Sequence, residues 1–185
     1  MDDELLARWC EGDVRAGDRL FERHSDSIIR FFRGMVRDGA EELVQETFTR
    51  VVAARERIHS DFRAYLFGVA WNVMRGHLRK LARDRKVDPA SESMVNLDPG
   101  PSTLAARRRE HRLLHEALRR LPTQHQAALQ LHYWEGLKTR EIAEIMGLSP
   151  SGMRTRLQTA KAQLERIYDE LESTMPLVVS TRTGG

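Results

Sequence analysis

The segment from Thr139 to Leu171 limits the possible folds most, because its breaks are written residue by residue. Arg140-Glu141-Ile142-Ala143-Glu144-Ile145-Met146 has helical periodicity, with Thr139 as its N-cap and Gly147 just past its end, where a left-handed residue is favoured. Leu148 turns inward, Ser149 supplies a second N-cap, and Pro150 occupies the first turn of the next helix, where its missing N–H is no loss. That helix is predicted from about Ser151 to Leu171. Ala143 is small enough for two helices to approach, and Met153 and Leu157 seat the second on the first. The spacing is that of a helix-turn-helix. Arg154, Thr155, Gln158 and Lys161 then project from the helix that enters a major groove, where Arg suits guanine edges and Gln suits adenine. Helix pairs with glycine turns also occur in bundles that never meet nucleic acid, so the motif needs independent support.

The rest of the chain is also helical in pattern, with no strand-like alternation. Stripes recur at Leu5-Leu6-Trp9, from Leu20 to Met35, from Leu43 to Val52, and from Tyr65 to Leu78. Breaks fall at Gly12-Asp13, Asp38-Gly39 and Ile58-His59-Ser60-Asp61, where Ser60 or Asp61 is positioned to cap the following helix. Leu113, Leu114, Ala117, Leu118 and Leu121 line one face of an Arg-rich helix that ends at Pro122; helix resumes over Gln126–Trp134 and closes at Gly136. The expected fold is all-α: two small helical domains, the second carrying the helix-turn-helix, joined by a flexible linker.

The linker is read from composition. Between Val87 and Ser102 the chain is rich in Pro, Ser, Asp and Gly. This sets the boundaries at 1–86 for the first domain, 87–105 for the linker, 106–172 for the second domain and 173–185 for a tail. Charge is distributed unevenly across these units. Residues 106–171 hold 12 basic and 8 acidic side chains, and Arg75, Arg79, Lys80, Arg83, Arg85 and Lys86 crowd one helix end against Asp84 alone. A net +3 therefore conceals two basic stretches. Trp71 and Asn72 lie one turn upstream of the first, where an aromatic beside an amide can stack on and hydrogen-bond an unpaired base; a lone Trp is more often core.

Other classes are poorly supported. The apolar run Tyr65–Met74 is half the ~20 residues a membrane span requires, and the acidic start Met1-Asp2-Asp3-Glu4 lacks the character of a signal peptide. A cytoplasmic protein without membrane insertion is expected. Cys10 is the single cysteine, which excludes an internal disulfide; a buried structural thiol is its expected state. His111 and His115 have the i,i+4 spacing of a two-His metal site, but Arg107–Arg109 and Arg112 crowd them, so a solvated or DNA-facing helix is the better reading. No nucleophile triad, phosphate loop or paired-carboxylate spacing stands out. Neither an enzyme nor a cofactor or metal is expected.

Taken together, these residues resemble the extracytoplasmic-function (ECF) group of bacterial RNA polymerase sigma factors. Leu20-Phe21-Glu22, Glu42-Leu43-Val44-Gln45-Glu46-Thr47-Phe48, Phe62-Arg63-Ala64-Tyr65-Leu66 and Ala70-Trp71-Asn72 look like sigma domain 2. Leu121-Pro122, Glu135-Gly136-Leu137, Glu141 to Ser149 and Arg154-Thr155-Arg156-Leu157 look like sigma domain 4. The resemblance implies a protein that binds core RNA polymerase and directs promoter-specific initiation. By it, Glu42, Leu43, Gln45, Glu46 and Phe48 would meet the polymerase clamp helices. Trp71, Asn72, Arg75, Arg79, Ile58 and His59 would read and melt the −10 element. Arg154, Thr155, Arg156, Gln158 and Lys161 would read the −35 element, with domain 4 on the polymerase flap. It also implies control by an anti-sigma factor. Departures from the family pattern are Ser151-Gly152 before Met153, Thr159 where a base is common, Glu42 for the usual Asp, and Ile58 for a frequent aromatic. The competing reading is a stand-alone helix-turn-helix regulator that binds duplex operator DNA without polymerase.

Overall fold

A computed structural model describes residues 2–58, 61–84 and 103–174. Most of the expected linker, His59, Arg85, Lys86 and the apolar tail segment Pro176–Val179 lie outside the described residues. Among the described residues there are eight α-helices and no strand: α1 (Asp2–Cys10), α2 (Val14–Met35), α3 (Ala40–Ala53), α4 (Phe62–Asp84), α5 (Thr103–Arg119), α6 (Thr123–Leu129), α7 (Thr139–Met146) and α8 (Pro150–Thr174). A 3₁₀ turn, Arg55–Arg57, follows α3, and a π-helical turn, Gln130–Trp134, extends α6.

The helix starts follow local chemistry. The Asp13 carboxylate accepts the Ala16 N–H at 3.2 Å and the Arg8 guanidinium at 2.6 Å, joining the end of α1 to the start of α2. The Arg8 hydrogen bond holds the Asp13 carboxyl below its ordinary range. Asp61 caps α4, accepting the N–H groups of Arg63 and Ala64 at 2.9 and 3.1 Å, and Ser60 lies outside the described residues. One start differs from expectation: Lys138 is the N-cap of α7 and Thr139 its first residue. The Glu141 carboxylate reaches back to accept the Lys138 N–H at 2.6 Å, satisfying the N-cap residue's own donor.

In the first lobe, α1 packs on α2, and α3 packs on both α2 and α4. Leu20, Ile28, Phe31, Phe32, Phe62, Leu66, Phe67 and Met74 are fully buried. Trp9 stands edge-on to Phe21 and Phe62, its ring pressed against Gly17 of α2. In the second lobe, α8 is the spine against which α5, α6 and α7 pack. Leu118, Leu121, Leu129 and Ala160 form one apolar cluster there, and Leu113, Ala117 and Leu171 another. The largest core nevertheless crosses between the lobes: Ala127, Leu131, Leu137, Ile142, Met146 and Met153 join the buried residues of α1 to α4.

Cys10 departs from expectation. It is exposed, its thiol donating to the Arg55 carbonyl at 3.4 Å. The buried stripe of α1 is Leu5, Leu6 and Trp9, and Cys10 falls about 100° further round the helix.

Candidate nucleic-acid interface

The second lobe presents its polar face through a tight turn. Gly147 adopts the left-handed conformation at φ 68°, and the Leu148 N–H reaches back to the Ala143 carbonyl at 2.8 Å. The Ser149 hydroxyl accepts the Gly152 N–H at 3.1 Å, so α8 leaves the turn in a fixed direction. Met153, fully buried, anchors the inner side of α8, with Leu157 packed beside it. With that side fixed, Arg154, Thr155, Gln158 and Lys161 are exposed, while Arg156 is half-buried. Arg154, Gln158 and Lys161 follow at i, i+4 and i+7 and so share one face. Lys161 has a loose partner in Glu165 at 3.7 Å, an exposed pair of small energetic weight.

In the first lobe, the basic run lies on the last turns of α4. Asn72, Arg75 and Arg79 recur at i, i+3 and i+7 and are exposed. Among the described residues, Arg75, Arg79, Lys80, Arg83, Arg154 and Arg156 have no acid within ion-pair distance. Cations without an internal partner can meet phosphates without first breaking a pair. Trp71 and Ile58 do not join this surface. Each is only 3% exposed and contributes to the core, and the Trp71 indole N–H is buried with no partner among the described residues. His59 lies outside the described residues.

On α3, Glu42, Gln45 and Glu46 are exposed along one side, and Arg50 pairs with Glu46 at 2.5 Å. Leu43 is buried, and Phe48 is half-buried with its ring 4.8 Å from Phe21. The acidic and amide side chains thus form a surface distinct from the two cationic ones, while the apolar members of the segment hold α3 in place. The Thr47 hydroxyl, also buried, is satisfied by the Leu43 carbonyl at 2.7 Å.

His111 and His115 approach to 3.3 Å between their Nε2 atoms. Burial, with His111 and Arg119 nearby, holds His115 below the ordinary imidazole range. No cluster of three or more metal-ligating side chains occurs among the described residues, and no described helix is long and apolar enough to cross a membrane.

The sequence reading gave Glu135 only a place in a motif. Its carboxylate is 3% exposed and faces Arg30 of α2 and Arg63 of α4 at 3.3 and 3.5 Å. The available signals were Gly34 and Gly68, glycines inside helices, where a neighbouring element often passes close.

An exposed cationic helix end and a helix-turn-helix with an outward polar face define a two-lobed helical DNA-binding protein. Comparison with known proteins takes this further. The sigma-70 region 2 model matches residues 20–84, and the sigma-70 region 4 model matches residues 111–164. RNA polymerase sigma factor CarQ of Myxococcus xanthus is 32% identical over 178 residues, spanning 90% of this chain and 97% of CarQ. The structure of CnrH in complex with the cytosolic domain of CnrY superposes with a TM-score of 0.68 at 26% identity, covering 91% of this chain and 97% of CnrH. The sigma factor RpoE from Bartonella quintana, solved with the anti-sigma factor NepR, shares the fold with a TM-score of 0.68 at 21% identity, over 82% of this chain and 96% of RpoE. The chain belongs to the sigma-70 family of RNA polymerase sigma factors, in its ECF group.

Proposed function

We propose that this sigma factor directs core RNA polymerase to a set of promoters by dividing the work between its lobes. Residues 1–86 serve as domain 2, 87–105 as linker, 106–172 as domain 4 and 173–185 as a tail. The observation that carries this division is the pair of cationic faces with no ion-pair partner among the described residues, Arg75 with Arg79 on α4 and Arg154 on α8, each inside its own family region. On α8, Arg154, Thr155, Gln158 and Lys161 read the −35 duplex, and half-buried Arg156 grips the flanking phosphates. On α4, Asn72 captures an unpaired −10 base while Arg75 and Arg79 hold the backbone. The buried Trp71 and Ile58 support that surface from beneath. His59, which lies outside the described residues, contacts the −10 element with them.

Glu42, Gln45 and Glu46 contact the polymerase clamp helices, with Leu43 and Phe48 stiffening α3 behind them. The second lobe docks on the flap. An anti-sigma factor controls the cytoplasmic pool, supported by the complexes in which CnrH and RpoE are seen. In this role the chain supplies recognition, and polymerase supplies the chemistry.

The test is promoter discrimination by Arg154→Ala with core polymerase. Loss of about 1–3 kcal/mol at promoters carrying the preferred −35 sequence, and little at variants of it, supports a base contact. Equal loss on all −35 sequences assigns Arg154 to a phosphate instead. Undiminished activity removes α8 from promoter reading.

A further inference from the structure

α1 lies ahead of residues 20–84, the stretch matched by the sigma-70 region 2 model, and has no part in the promoter-reading role proposed above. Its contacts are nevertheless specific. α1 packs on α2, on the 3₁₀ turn Arg55–Arg57 and on α4, so it lies against both ends of the connection between α3 and α4. At one end the Cys10 thiol donates to the Arg55 carbonyl at 3.4 Å. At the other, the Trp9 ring stands edge-on to Phe62, the first residue of α4, with ring centroids 6.4 Å apart.

A second route to Phe62 starts at the first residue of α1. The Asp2 carboxylate accepts a hydrogen bond from His24 Nε2 of α2 at 2.8 Å and another from the Arg23 guanidinium. His24 is 6% exposed, and its ring centroid lies 5.5 Å from that of Phe62. An apolar side chain could fill the same space; the imidazole adds a ring whose orientation is set by the bond at Nε2. With that ring fixed, Phe62 has a single seat between His24 and Trp9. Phe62 is fully buried and Ile58, at the other side of the connection, is nearly so, so neither shifts unless its walls shift.

We infer that Asp2 and His24 are positioning residues for −10 reading, acting through Phe62: together with Cys10 on Arg55, they make α1 a brace for the two described ends of the α3–α4 connection, Arg55–Ile58 and Asp61–Phe62. The brace rests on the promoter-reading role proposed above, in which this connection and Asn72 of α4 meet the −10 element. An unpaired base is held best by a surface already in place, because ordering that surface at the moment of binding subtracts from the contact. Slack at Phe62 therefore slows promoter opening and blurs the choice of base. The polymerase-facing side of α3 and the outward face of α8 are untouched by it.

The experiment uses the full chain with core polymerase on a promoter that it opens, and on the same promoter changed at one −10 base. Permanganate reactivity of unpaired thymines gives the opening rates. Asp2→Ala, and His24→Leu, which keeps an apolar filling against Phe62, should each slow opening about three- to tenfold, with core-polymerase affinity within about twofold. The deciding readout is the ratio of opening rates on the two promoters. A variant that merely leaves less folded protein slows both alike and keeps the ratio, whereas a lost brace lowers it about threefold or more, and Asp2→Glu, which keeps the carboxylate, should restore it. Amide hydrogen exchange on the unbound chain reads the brace without a promoter. The N–H groups of Arg63, Ala64 and Tyr65, bonded to Asp61 at 2.9, 3.1 and 3.0 Å, should exchange faster in Asp2→Ala, while those of α8 stay unchanged. If His24→Leu loses helicity by circular dichroism, Asp2→Ala decides. An unchanged ratio, or unchanged exchange at the start of α4, in Asp2→Ala overturns the brace. An unaltered chain that opens no promoter refutes promoter reading instead, and the exchange result then shows whether α1 still holds the start of α4.

Discussion

Two glycines predict opposite outcomes for the same substitution. Gly76 lies inside α4, and a Cβ added there meets nothing within 4 Å. Alanine is more favourable than glycine in a helix interior by about 0.8–1 kcal/mol, because glycine loses more backbone freedom on folding. Gly76→Ala should therefore stabilise the first lobe by about that amount. Gly147, at φ 68°, also faces open space, so nothing clashes with a new methyl group. Its cost is purely conformational: the left-handed region costs an L-residue about 1–2 kcal/mol. The two variants should differ by about 2–3 kcal/mol in opposite directions from the parent. With a urea m-value of about 2 kcal/mol/M, their unfolding midpoints separate by about 1 M or more, followed by far-UV circular dichroism. Gly147→Asn should recover part of the loss, since Asn tolerates this conformation better than Ala. Movement of both Ala variants in the same direction, or a neutral Gly147→Ala, would refute the assignment of Gly147 as the obligatory turn of the helix-turn-helix.

Further substitutions test other parts of the account. Gly17→Ala should destabilise the first lobe by about 1–3 kcal/mol, because its Cβ would lie 2.5 Å from the indole of Trp9, which Phe21 and Phe62 hold in place; thermal unfolding measures it. Asn72→Ala should slow promoter opening, read by permanganate reactivity of unpaired thymines, while core-polymerase affinity stays within twofold. Equal loss of both would remove Asn72 from base capture. Stability should also fall on mild acidification. Burial favours neutral His115 in the folded state, so the unfolded chain takes up the proton first; the contribution is complete above the ordinary imidazole value of 6.5 and declines as pH falls below it. His115→Gln should flatten that slope in denaturation series across this range.

Much of the fold was legible in the sequence because its signals are local. Apolar stripes at helical spacing located the buried faces of α1 to α4, and Asp13, Asp61, Ser149 and Gly147 occupy the cap and turn positions their side chains or backbone favour. The outward face of α8 followed from the inward one: with Met153 and Leu157 set on the core, Arg154, Gln158 and Lys161 had to face away.

What sequence did not reveal depends on contacts between distant segments. Trp71 belongs to the core because α4 is packed by α3 on one side and α7 on another, leaving a much wider buried stripe than an amphipathic surface helix has. Nothing local marked Glu135 beyond its place in a motif, because its partners Arg30 and Arg63 are 105 and 72 residues away in sequence. Cys10 illustrates the reverse error: neighbours in sequence to a buried Trp9 do not share its helix face.

Transcription with purified core polymerase, on genomic fragments and with or without this chain, tests the central claim most directly. The account predicts discrete transcripts that require both proteins. Their start sites should share −10 and −35 elements, and their yield should fall with Arg154→Ala. No specific transcript from any fragment, together with footprinting of duplex DNA by the chain alone, would contradict it.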